Sequence, residues 1–118
     1  MKYLCLVYGE EHLLHAMKDE HCVAFDEDIR SRKICIASEA LQPVETATTV
    51  RVRQGRVSVT DGPFAETKEA LAGFYLIDAR DLNEAIQVAA AIPPAQLGCV
   101  EIRPIRTLPG RVLGADPS

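Results

Sequence analysis

No stretch of this sequence approaches the roughly 20 consecutive apolar residues that a membrane-crossing helix needs. The opening run Tyr3-Leu4-Cys5-Leu6-Val7-Tyr8 is also too short for a secretory leader with its cleavage site, so a cytoplasmic location is expected. A large excess of one sign of charge is missing too. The net charge is −4 with acids and bases interspersed. Arg51, Arg53 and Arg56 form only a local patch, which argues against a dedicated nucleic-acid surface. No C-x-x-C pair occurs. Cys5, Cys22, Cys35 and Cys99 lie inside apolar runs and read as small buried hydrophobes of a reducing compartment. Neither a Gly-rich phosphate loop nor a Ser-centred nucleophile elbow is present, which sets aside kinase, dinucleotide and hydrolase readings. No cofactor is expected.

What is present fits one domain. The 118 residues are 47% hydrophobic and 25% charged, a soluble globular balance that argues against disorder. Residues 2–8 read as a strand with Tyr3, Cys5 and Val7 on one face and Leu4, Leu6 and Tyr8 on the other. Both faces are apolar, so both need cover. Residues 11–17 fit a short helical turn. A firmer helix runs from about Asp19, a candidate N-cap, to Arg32, with Cys22, Phe25 and Ile29 at helical spacing. Lys33 to Ser38 is a short strand, broken by Glu39-Ala40-Leu41-Gln42-Pro43. Ala47 to Arg53 and Arg56 to Thr60 form a hairpin about Gln54-Gly55, with Val50 and Val52 opposite Thr49, Arg51 and Arg53 in the alternation.

Asp61-Gly62-Pro63 is the sharpest turn signal, and Glu66 to Leu71 fits either a helix or a wrapped loop. A strand follows over residues 73–79. Asp81 then caps a helix with Glu84 in a capping-box-like pair, and Leu82, Ala85, Ile86, Ala89 and Ala90 make its apolar stripe. Pro93-Pro94 stops that helix. The last strand covers 100–105. The domain is drawn at 1–108, with a loose tail at 109–118.

Two helices cannot cover both faces of such a sheet. With both on one face, the other keeps its apolar residues and calls for a partner. A symmetric homodimer through sheet faces is the economical answer.

The stretch Asp61-Gly62-Pro63-Phe64-Ala65-Glu66-Thr67-Lys68-Glu69, followed by Gly73-Phe74-Tyr75, resembles the signature of the YCII-related proteins of the DGPF family. Met1-Lys2-Tyr3 with Tyr8-Gly9, Glu39-Ala40-Leu41, Thr48-Thr49-Val50-Arg51 and Val100-Glu101-Ile102-Arg103-Pro104 resemble it as well. The resemblance implies an α+β ferredoxin-like sandwich that dimerises through its sheets, as in the dimeric α/β-barrel superfamily. It also implies a His–Asp pair in a cleft acting on a small aromatic or cyclic compound, or an association with sigma-factor-like regulators.

Asp61 is either a general base held by a rigid turn or an Asx-turn residue accepting backbone N–H bonds. His21 is either a proton shuttle or a solvated histidine at a helix start. His12, His15, His21 and Cys22 match no standard metal spacing, so no metal is expected. Arg51, Lys68 and Arg103 could hold an anion, or the arginines could pair across strands with Glu101 or Glu45. Tyr8, Phe64 and Glu66 complete the binding set.

Two functions stay open. One is an acid–base enzyme of lyase, isomerase or dehalogenase type, with Asp61 and His21 handling protons on a small anionic or cyclic compound. The other is a non-catalytic dimer that binds a ligand or a sigma-factor-like regulator.

Overall fold

The computed structural model describes residues 1–110. Strands β1 (Lys2–Gly9), β2 (Cys35–Ala40), β5 (Ala70–Asp78) and β6 (Cys99–Pro104) form one sheet in the order β2-β5-β1-β6. Strands β3 (Thr48–Arg53) and β4 (Arg56–Asp61) form a separate two-stranded ribbon between β2 and β5 in the chain. Every strand pairing is antiparallel. The helices among the described residues are α1 (Glu11–His15), α2 (Asp19–Ser31) and α3 (Leu82–Ala90). Without the inserted hairpin the order is β-α-β-β-α-β, compatible with the expected ferredoxin-like sandwich.

The alternation of β1 divides the molecule. Tyr3, Cys5 and Val7 are buried against the helices, while Leu4, Leu6 and Tyr8 are only half-buried. The first set joins Ile77 of β5, Ile29 of α2 and Ala85, Val88 and Ala89 of α3 in one core cluster. Both longer helices therefore pack on the same face, as expected from the count of helices. On the other face, antiparallel register aligns Leu4 with Leu76 and Arg103, and Leu6 with Phe74 and Glu101. An apolar stripe thus runs down the centre of this open face, with polar residues on its outer strand.

Several local expectations are corrected. Asp19 opens α2 rather than capping it; the cap position is Lys18, which makes no side-chain cap bond. Strand β2 continues through Ala40, because it stays paired with β5 to Gly73. Residues 66–69 are not helical, and β5 begins at Ala70. Asp81 does cap α3, accepting the Glu84 N–H at 2.9 Å. The Glu84 carboxylate reaches back to the Arg80 N–H at 3.0 Å, one residue before the cap. The buried face of α3 is Ala85, Val88 and Ala89, continued by Ile92, whereas Leu82 and Ile86 are about half exposed. Positions 82, 86 and 90 form a neighbouring stripe that points away from the sheet. Cys5 is fully buried, but Cys99 is exposed, because it opens strand β6 at the sheet edge. The expected tail at 109–118 falls, from residue 111, outside the described residues.

The hairpin stands apart. Only Thr49 among its strand residues is even half-buried. Gln54 and Gly55 both have positive φ, which matches the right-handed twist of the ribbon at a two-residue turn. Its base is tied by the Gly62 N–H donating to the Ala47 carbonyl at 2.7 Å and the Thr49 hydroxyl donating to the Gly62 carbonyl at 2.7 Å.

Candidate functional site

Helix α2 leans over the β2–β5 edge of the sheet and leaves a cleft of about 410 Å³ between helix and strands. Its wall on α2 is a stripe at helical spacing: Asp19, Cys22, Asp26 and Arg30. Opposite stand Ser38 of β2 and Tyr75 of β5, cross-strand partners in the sheet register. Gly73 lies beneath, with Val7 on one side and Ala40 on the other. A Cβ at Gly73 would sit 2.7 Å from the Glu39 carbonyl oxygen, so the glycine lets β2 close on β5 at the floor of the cleft.

The polar groups are linked. The Arg30 guanidinium donates to the Ser38 hydroxyl at 3.3 Å, and that hydroxyl donates to the Asp26 carboxylate at 3.5 Å. Tyr75 is clamped by Phe25, whose ring meets it edge-on at 5.4 Å. Burial raises the Tyr75 phenol above its usual range, and the Asp26 charge beside it raises it further. The phenol therefore stays a proton donor across the working range of pH. Burial, then Asp19 and Asp26, also raise the Cys22 thiol, which holds it as a thiol rather than a nucleophilic thiolate. Asp19 and Asp26 face one arginine, so the lining is acidic on balance.

The residues singled out from sequence lie elsewhere. None of Asp61, His21, Tyr8, Arg51, Phe64, Glu66, Lys68 and Arg103 lines this cleft in a single chain. His21 is exposed on α2, next to the cleft residue Cys22, and Asp61 is exposed at the end of β4. Neither side chain makes a hydrogen bond or ion pair among the described residues, so the expected Asx-turn bonds of Asp61 are not formed there. Arg51 and Lys68 are exposed, as is Glu66, and Phe64 is 77% exposed. Arg103 pairs with Glu101 two residues away on its own strand, at 3.4 Å, rather than across strands. Tyr8 is half-buried on the open sheet face.

Sequence reading missed Asp26, Arg30, Ser38 and Tyr75. The signal available was the polar stripe at 19, 22, 26 and 30, which runs beside the apolar stripe of α2. Tyr75 was concealed within a strand that reads apolar on both faces.

A family model of the YCII-related domain matches residues 1–109. The chain is also 38% identical over 114 residues to an uncharacterised protein of Rhizobium meliloti (strain 1021), an alignment covering 89% of this chain and 92% of that protein. On both grounds, this chain belongs to the YCII-related family.

Proposed function

We propose that the cleft beneath α2 is a small-molecule acid–base site, with the Asp26 carboxylate as proton acceptor and the Tyr75 phenol as hydrogen-bond donor. The observation that carries this reading is the carboxylate–phenol pair set in a cleft of about 410 Å³. A carboxylate beside a phenol that resists ionisation suits removal of a proton next to a carbonyl: one group takes the proton, and the other stabilises the enolate oxygen. Ser38, held by Arg30, steadies Asp26. The excess of acids in the lining favours a neutral or cationic cyclic compound over the anionic one expected from sequence.

The lyase or isomerase class is the part of the sequence expectation that this geometry fits. Asp61, Arg51, Phe64, Glu66 and Lys68 stand outside this cleft and enter instead as groups that face a second copy, in a homodimer through the open sheet faces of dimeric α/β-barrel type. Placement in the DGPF branch rests on the Asp61–Glu69 stretch and belongs to the same proposal.

The test follows deuterium uptake at the carbon beside the carbonyl, by NMR in D2O, for a panel of neutral cyclic ketones. The wild type should accelerate exchange, and Asp26→Asn should lower the rate by about 100-fold or more. A full rate in that variant would remove Asp26 from the chemistry. A separate variant serves the pair expected from sequence: Asp61→Asn should move the His21 ring resonances in an NMR spectrum only if the two residues approach each other.

The exposure of Phe64 beside the uncommitted Asp61 favours a second reading, a non-catalytic dimer that binds a regulatory protein of sigma-factor type through the 61–68 loop. A pull-down that recovers such a factor, and loses it on altering the loop, would support it.

A further inference from the structure

The hairpin carries an apolar face that the described residues leave uncovered. Register pairs Val50 with Val59 and Val52 with Val57, so all four valines share one side of the ribbon. They are 56–67% exposed. An isolated two-stranded hairpin is marginal in water, and among the described residues nothing packs on this one's valines. Phe64, just beyond its base, adds an exposed ring.

A second apolar surface that the described residues leave open is the sheet face with Leu4, Leu6, Phe74 and Leu76 at its centre and Glu39, Glu101 and Arg103 on its outer strands. The two surfaces match in apolar character. Register places Arg51, Arg53 and Arg56 on the opposite side of the ribbon, so between Val50 and Val59 the valine side carries no charge to desolvate. Six-residue strands are about 20 Å long and a pair of them about 10 Å wide. Hairpin and open face together offer area on the order of the 800 Å² per partner that a stable interface buries.

We propose that the hairpin 48–61 is an arm that lies, valines down, against the sheet of a second copy of this chain and extends the interface between the two open faces. The partner's arm returns the contact under two-fold symmetry, so both uncovered surfaces of each chain are closed at once. The arm also carries the Asp61–Lys68 loop toward the second copy, which accounts for its distance from the cleft of its own chain. This inference rests on the sheet-face dimer, and goes beyond it in assigning the arm.

Sedimentation equilibrium with the double variant Val52→Glu, Val57→Lys tests it. These positions face each other across the ribbon, so the new pair preserves the hairpin while removing its apolar face. The wild type should be a dimer, and the variant should dissociate with Kd raised at least about 100-fold while keeping its far-UV circular dichroism. A wild-type monomer would overturn both the arm and the sheet-face dimer. A variant dimer with unchanged Kd would overturn the arm alone.

Discussion

Cys5 and Tyr75 are titratable groups that the core holds neutral. Burial pushes the Cys5 thiol up to about 11 from an ordinary 9.0. Below 9, folded and unfolded chains both keep that proton, and the group has no effect on stability. Above it the unfolded chain loses the proton first, so folding must recapture it, and stability falls until the folded thiol itself ionises. The full span corresponds to roughly 3 kcal/mol. Tyr75, also raised, adds to the loss above the usual phenol range. Melting temperature should therefore decline steeply between pH 9 and 11, and Cys5→Val should flatten the decline; an unchanged slope in that variant would place the alkaline sensitivity elsewhere. The inward placement of Cys5 was legible in the sequence because it alternates with Tyr3 and Val7. Cys99 was not, because an apolar run of residues does not reveal which of its members stands at a sheet edge.

At the scale of elements, legibility followed how local the cause was. The Asp81 cap of α3 depends on residues within one turn, and both of its hydrogen bonds join neighbours in sequence. Asp81→Ala should cost about 1 kcal/mol, and the melt of the single variant should fall by about 5 °C. The buried face of α3 was read in part: Ala85 and Ala89 lie on it as expected, Val88 was missed, and the more apolar Leu82 and Ile86 stand beside it. Close approach of helix to sheet selects the small residues instead. The cleft was illegible for the same reason, since Asp26 meets Ser38 and Tyr75 only when α2 settles over β2 and β5. Gly73 sits where that settlement is tightest. Gly73→Ala must push β2 from β5, so it should weaken ligand binding in the cleft and lower stability together. Asp26→Asn, by contrast, should affect the chemistry with little loss of stability; a thermal melt alongside the exchange assay separates the two.

The molecule as a whole is flat, 45 × 44 × 20 Å, with a radius of gyration of 16.2 Å. A compact domain of about 100 residues has about 13 Å. A sheet with helices on one side accounts for the thin dimension, and the projecting hairpin contributes to the long ones. Sequence alone showed that one face would lack cover, because it is a matter of counting helices against apolar strand faces. It could not show that the hairpin stands clear of the body, since alternating valines fit a ribbon packed on its own sheet equally well. Hydrogen exchange separates these environments directly. Amides of β1 between Tyr3 and Val7 are bonded on both sides within the central sheet and should exchange slowly in any assembly state. Amides of 48–61 belong to a ribbon with no cover among the described residues, so a free arm opens at almost no cost and exchanges fast. An arm docked on a second copy is protected for as long as the dimer holds. The wild type, well above its dissociation constant, should therefore show slow exchange in both segments. The Val52→Glu, Val57→Lys variant at the same concentration should show fast exchange confined to 48–61. Fast exchange of that segment in the wild-type dimer would leave the arm in solvent and the valines without a role in assembly.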